Sequence, residues 1–162
     1  MRAPVRFDKR MDLIKTFTPE QFEQGLESWA WIGLEGKTPL FASPFGDIFL
    51  RGEDGFWWLD TIEGALLKPW ETAEEMQAEL RSPGGQDRYL LGGLAWAAEE
   101  EGVVPTGDQV YAFTVPPILG GDMGLENVQV VDFVVAANVA GQLHEQVRDL
   151  PEGTAVSEVT IA

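Results

Sequence analysis

Apolar residues first fall at helical spacing at Phe22, Leu26 and Trp29, one stripe of a helix. Thr18-Pro19-Glu20-Gln21 stands just before them. Thr18 suits the cap, Pro19 the first helical position, and Gln21 the reciprocal capping partner. A helix is predicted from Pro19 to about Trp31. The pattern then shifts to alternation over Thr38–Asp60. Leu40-Phe41 makes a short strand. Asp47–Arg51 and Phe56–Asp60 flank Gly52-Glu53-Asp54-Gly55, a hairpin turn. Pairing Arg51 with Phe56 puts Ile48, Leu50, Trp57 and Leu59 on one face. It puts Phe49, Arg51, Phe56 and Trp58 on the other. Both faces carry aromatics, so both are expected to be covered. On this parity Trp57 is buried, and Trp57→Ala should cost about 3–5 kcal/mol.

Ala65–Trp70 reads as a third strand, stopped at Pro69. Two helices follow. Thr72–Leu80 is acidic outside, and Gln86–Glu101 buries Leu90, Leu91, Leu94, Ala95 and Ala98. Gly92-Gly93 in its middle predicts close packing or a local break. Gln109–Val115 is a strand ended by Pro116-Pro117, and residues 119–124 form a Gly-rich connection. Val128–Val135 is apolar enough for a central strand, and Ala136–Leu150 is helical. Thr154–Ile161 reads as a last strand or a frayed tail. The order α–βββ–αα–ββ–α mixes rather than alternates. The expected class is a single α+β domain over 18–162, with a mixed or mainly antiparallel sheet and packed helices.

The 162 residues hold 27 Asp and Glu against 11 Lys and Arg, a net charge of −16. Five of the basic residues lie within 1–15, so 1–17 reads as a basic, mobile extension. Met11 is an alternative start. Residues 16–162 carry 6 basic against 25 acidic side chains, or −19. Binding to nucleic acid or to an anionic membrane needs Lys and Arg, so neither partner is expected. Disorder does not explain the acidity, because the chain is 44% hydrophobic with six tryptophans. No apolar run is long enough to span a bilayer. There is no cysteine, which removes disulfides and thiol chemistry and fits the cytoplasm.

Specific chemistry is sparse. His144 is the sole histidine and lies within Gln142-Leu143-His144-Glu145-Gln146, with no nucleophile elbow nearby. It is expected to be structural or solvent-facing. One His without Cys makes no zinc site unless carboxylates complete it. The glycines of 120–124 match neither G-x-G-x-x-G nor a phosphate loop. No cofactor, metal or catalytic residue is therefore assigned. Chelator and reductant should leave the thermal midpoint unchanged; a drop of several degrees with EDTA would reveal a carboxylate metal site. Arg51 is expected to stack on Phe56 or Trp58, or with them to anchor a partner.

The runs Gln109-Val110-Tyr111-Ala112-Phe113, Pro116-Pro117-Ile118-Leu119-Gly120-Gly121, Glu126-Asn127-Val128 and Gln142-Leu143-His144-Glu145-Gln146 form an ordered set. The set resembles the C-terminal domain of bacterial immunity proteins for type VI secretion DNase effectors. Phe45-Gly46-Asp47-Ile48-Phe49 and Gly55-Phe56-Trp57-Trp58-Leu59 are similar to the start of that domain. The resemblance covers roughly Thr38 to Leu150. It implies protection of a producing cell by direct binding of a toxin, and it carries over no catalytic residues.

The expected function is then a cytoplasmic immunity-type protein that binds a cognate basic toxin. The rivals are a small carboxylate-based hydrolase and an acidic adaptor. A buried acidic pair within the largest pocket would favour the hydrolase. Candidate partner contacts are Glu53 and Asp54 at the hairpin tip, Glu99, Glu100 and Glu101 at a helix end, and Asp122 and Glu126 near the glycine loop. Turns and helix ends present side chains to partners.

Overall fold

A computed structural model describes residues 13–162. The N-terminal helix α1 spans Pro19–Leu26 and opens on the expected capping box between Thr18 and Gln21. It tightens into a 3-10 turn over Glu27–Ile32 rather than running on as an α-helix. That turn swings Trp29 inward, where its Nε1 donates to the Ala137 carbonyl at 2.9 Å. Residues 13–17 belong to the fold rather than to an extension. Lys15 exchanges two backbone hydrogen bonds with Ala42, and Phe17 stacks on Phe133. The remainder of the expected extension, with Met11, lies outside the described residues.

Strands β1 (Thr38–Ala42), β2 (Ile48–Gly52), β3 (Gly55–Asp60) and β4 (Ala65–Trp70) form an antiparallel meander in chain order. Arg51 pairs with Phe56, the expected register. Both faces of the hairpin are covered. Ile48, Leu50 and Leu59 pack with Phe22, Trp29, Phe133 and Ala137. Phe49 and Trp58 pack with Trp70, Met76, Leu80, Tyr89 and Leu90. Trp57 faces the first cluster but is only half-buried, because it sits beside the turn where the helical layer ends. The cation over this indole is Lys37, at 4.2 Å, whereas Arg51 is exposed. β4 does not stop at Pro69. As an edge strand it tolerates the missing N–H, with a register shift opposite Phe56 to Trp58.

Helix α2 (Ala73–Arg81) is capped by Thr72 and Glu75. The expected long helix is broken into α3 (Pro83–Leu90) and α4 (Gly92–Glu100). Leu91 between them is left-handed at φ 50°. The glycine pair earns both expectations: the chain breaks, and a Cβ at Gly92 would press on Leu13.

Strand β5 (Gln109–Phe113) pairs antiparallel with β6 (Val128–Asp132). β6 is not central. Among the described residues it pairs with β5 alone, and it is half-exposed. It ends at Asp132, whose carboxylate accepts from Val135 N and starts α5 (Phe133–Val147) three residues early. The ribbon joins the meander where Tyr111 N donates to the Pro44 carbonyl. Residues 154–161 form no strand; Gln146 exchanges two hydrogen bonds with Thr160 beside α5. The architecture is α+β: a four-stranded sheet with helices on both faces and a two-stranded ribbon at one end.

Candidate partner-binding site

The seven acidic candidates fall into two groups. Glu53 and Asp54 are exposed at the β2–β3 tip. Asp54 is engaged there, accepting from Trp57 Nε1 at 3.3 Å and pairing with Lys68 at 3.5 Å. Lys68 and Lys37 make the tip a mixed rather than a purely acidic surface.

The other five lie at the end of α4 and on the β5–β6 connection, two segments in contact with each other. Glu99, Glu100 and Glu101 close α4, where Gly102 adopts φ 83° and donates to the Glu99 carbonyl. The α4 face bearing Ala95 and Ala98 packs with Leu125, next to Glu126. Asp122 and Glu126 are exposed on the β5–β6 connection. That connection is a built loop. Asn127 accepts from Val115 N and donates to the carbonyls of Val115 and Asp122. The same loop leaves Val115, Ile118, Leu119 and Met123 exposed, an unusual apolar share for a turn. The hairpin tip lies at the far end of β2 and β3 from the Pro44–Asp47 corner that anchors the ribbon. The two groups therefore do not form one patch.

Beside the loop is a groove that sequence reasoning missed. It has a volume of about 330 Å³ and runs between α5 and the β5–β6 ribbon. Phe45, Ile62, Phe113, Val135, Val139 and Leu143 supply its apolar walls. Val135 is 52% exposed at its rim. Helix α5 carried the signal. Val135 and Val139 form a second apolar stripe beside the buried Phe133, Ala137 and Gly141. Read as the end of a strand, Val135 lost that meaning.

Two of the polar residues that line the groove, His144 and Thr61, are bonded to one another. His144 is buried, and its Nε2 donates to the Thr61 carbonyl at 2.9 Å. Burial holds its pKa below the ordinary value, despite the pull of the Thr61 carbonyl and Asp60. Glycine is required at Gly64, where φ is +74° and a Cβ would overlap the His144 ring. Below this lies a buried acidic pair. Asp47 accepts from Thr61 N, Thr61 Oγ1 and Trp58 Nε1. Burial, then the neighbouring Asp60, pushes its pKa up to about 7. Asp60 accepts from Ile62 N and Glu63 N, and burial raises its pKa as well. Neither carboxyl lines the groove. Both carboxyls hold the β3–β4 turn. Among the described residues, no cluster of three or more His, Asp or Glu could hold a metal ion. No helix among them is long and apolar enough to cross a membrane.

Fold and site together define a single α+β domain with an apolar groove beside an acidic, partly apolar loop. No family model and no curated protein matches the chain. Among solved structures it is similar to the crystal structure of Atu4351 from Agrobacterium tumefaciens, with a TM-score of 0.50 and 20% identity. The match covers 80% of this chain and 66% of that one, so this chain spans just under two thirds of its neighbour's length. At this identity the likeness concerns the fold alone.

Proposed function

We propose that this protein is a cytoplasmic immunity-type binder that neutralises a basic antibacterial toxin, of nuclease type, by direct binding. The observation that carries the reading is the surface at the end of α4 and the β5–β6 loop. There Glu100, Glu101, Asp122 and Glu126 accompany exposed Val115, Ile118, Leu119 and Met123. Acidic groups steer a basic partner in, and apolar groups hold it once docked. A nuclease needs a basic cleft for its phosphates, which makes it a complementary partner. The resemblance of the 109–146 motifs to immunity proteins supports the same reading. The placement of Asp47 and Asp60 outside the groove favours binding over hydrolysis.

The test is co-expression with the protein encoded beside this gene, followed by association rates over a salt series. Glu100→Lys with Glu126→Lys is expected to slow association by about tenfold and flatten its salt dependence. Glu74→Lys with Glu23→Lys, on the exposed faces of α2 and α1, should do much less. Equal effects at both places would reduce the reading to net charge. No binding, together with turnover of a small substrate, would replace it with the hydrolase.

A further inference from the structure

We infer that the groove between α5 and the β5–β6 ribbon receives one apolar anchor, an aromatic or long aliphatic side chain on a basic segment of the partner. The inference deepens the toxin-binding reading and rests on it for the nature of the partner.

Size comes first. A cavity of about 330 Å³ is at the small end of ligand sites, which run from roughly 300 to 1,000 Å³. It suits one large side chain better than a cofactor.

Wall chemistry comes second. A pocket for a polar small molecule presents several convergent polar groups. Here His144 Nε2 and the Thr61 carbonyl satisfy one another. The rest of the lining is mainly apolar, with Thr114 and Gln129 its remaining polar side chains.

Charge comes third and selects the occupant. Among the described residues, no Lys or Arg lines the groove. Exposed Glu63 directly follows Ile62 of one wall. Exposed Asp132 directly follows Val131 of the other and caps the helix that carries Val135. An apolar side chain arriving between lysines or arginines would meet an acidic residue on either side. One arriving between carboxylates would be repelled. Exposed Val115 and Ile118 continue the apolar surface toward the acidic loop, so one partner segment can engage both. Centrally seated aromatic anchors ringed by polar contacts are the usual arrangement of binding energy in interfaces.

The experiment uses three synthetic nonapeptides titrated into the full chain and followed by amide NMR. One carries a single Trp between Lys and Arg residues. The second replaces that Trp by Ala, and the third replaces the basic residues by Glu. The first is expected to shift the amides of Ala112, Phe113, Val135 and Val139 and to bind at least tenfold more tightly than either control. Val135→Arg, at an exposed position that leaves the core untouched, and Ala112→Trp, which fills the groove, are each expected to abolish these shifts. Equal binding of the Trp and Ala peptides, or no binding by any peptide, would overturn the proposal. Tighter binding of decanoate than of the basic peptide would assign the groove to an apolar small molecule instead. Self-association abolished by Val135→Arg would assign it to a second copy. The two readings fail separately. If wild type captures the neighbouring gene's protein and Val135→Arg captures it equally well, the anchor site is wrong and toxin binding stands. If wild type captures nothing, toxin binding is wrong whatever the peptides do.

Discussion

Trp29→Ala is expected to destabilise the protein by about 4 kcal/mol, while Trp57→Ala costs about 1–2 kcal/mol. The two tryptophans serve the same core and differ in depth. Trp29 is fully buried, its ring centroid 5.6 Å from that of Trp31 and 5.7 Å from that of His144. Its Nε1 reaches the Ala137 carbonyl, so it joins the 3-10 turn to α5. The surroundings cannot collapse into the space it would leave. Gly141 of α5 already lies so close to Ser28 that a Cβ there would overlap the serine. Trp57 keeps one side in solvent, and Lys37 covers its ring. Urea unfolding of the two variants, with unchanged slope, measures the difference. Costs within 1 kcal/mol of each other would mean that depth does not rank these residues.

That ranking marks the boundary of what the sequence discloses. Local rules carry the hairpin, because a four-residue turn and period-two alternation set both register and facing. The capping box of Thr18 and Gln21 is legible for the same reason: donor and acceptor are three residues apart. Depth is not local. Trp57 has the right face and the wrong distance from the turn, which only the extent of the helical layer decides. β6 was apolar enough for a central strand, but its apolar residues serve a ribbon with one face toward α4 and the other toward the groove. Six of the seven acidic candidates are exposed, as turns and helix ends predict, whereas Glu99 is half-buried where α4 packs on the ribbon. Their division into two groups was not legible, because it depends on where Tyr111 joins Pro44. The groove was hidden more deeply. Its walls come from Phe45, Ile62, Phe113 and Leu143, which no sequence window contains together.

Asp60→Asn is expected to stabilise the protein at pH 7.5 by about 1 kcal/mol and to lose that advantage by pH 5. The reason lies in the buried pair: the variant removes the cost of ionising Asp60 itself, and it removes the charge beside Asp47. Fully buried beside Asp60, Asp47 has its pKa raised from 3.8 to about 7. The folded state therefore binds this proton more tightly than the unfolded state does. Its stabilising effect is complete below about pH 4 and is lost as the pH rises through about 7. The full shift is worth on the order of 4 kcal/mol. Removing the neighbouring charge lowers the pKa of Asp47 and recovers part of that loss at neutral pH. Asparagine keeps the oxygen that accepts from Ile62 N and Glu63 N, so the turn should survive. His144 works in the opposite direction. Its lowered pKa means that acid favours the unfolded state below about pH 6.5. Asp60 helps to hold a proton on His144, so the variant loses that support in acid as well. Both effects close the gap between variant and wild type as the pH falls. Thermal or urea unfolding of the two proteins from pH 8 to pH 5 reads the gap directly. A gap that stays constant across this range would show that Asp60 acts on the turn alone and not on the proton held by Asp47.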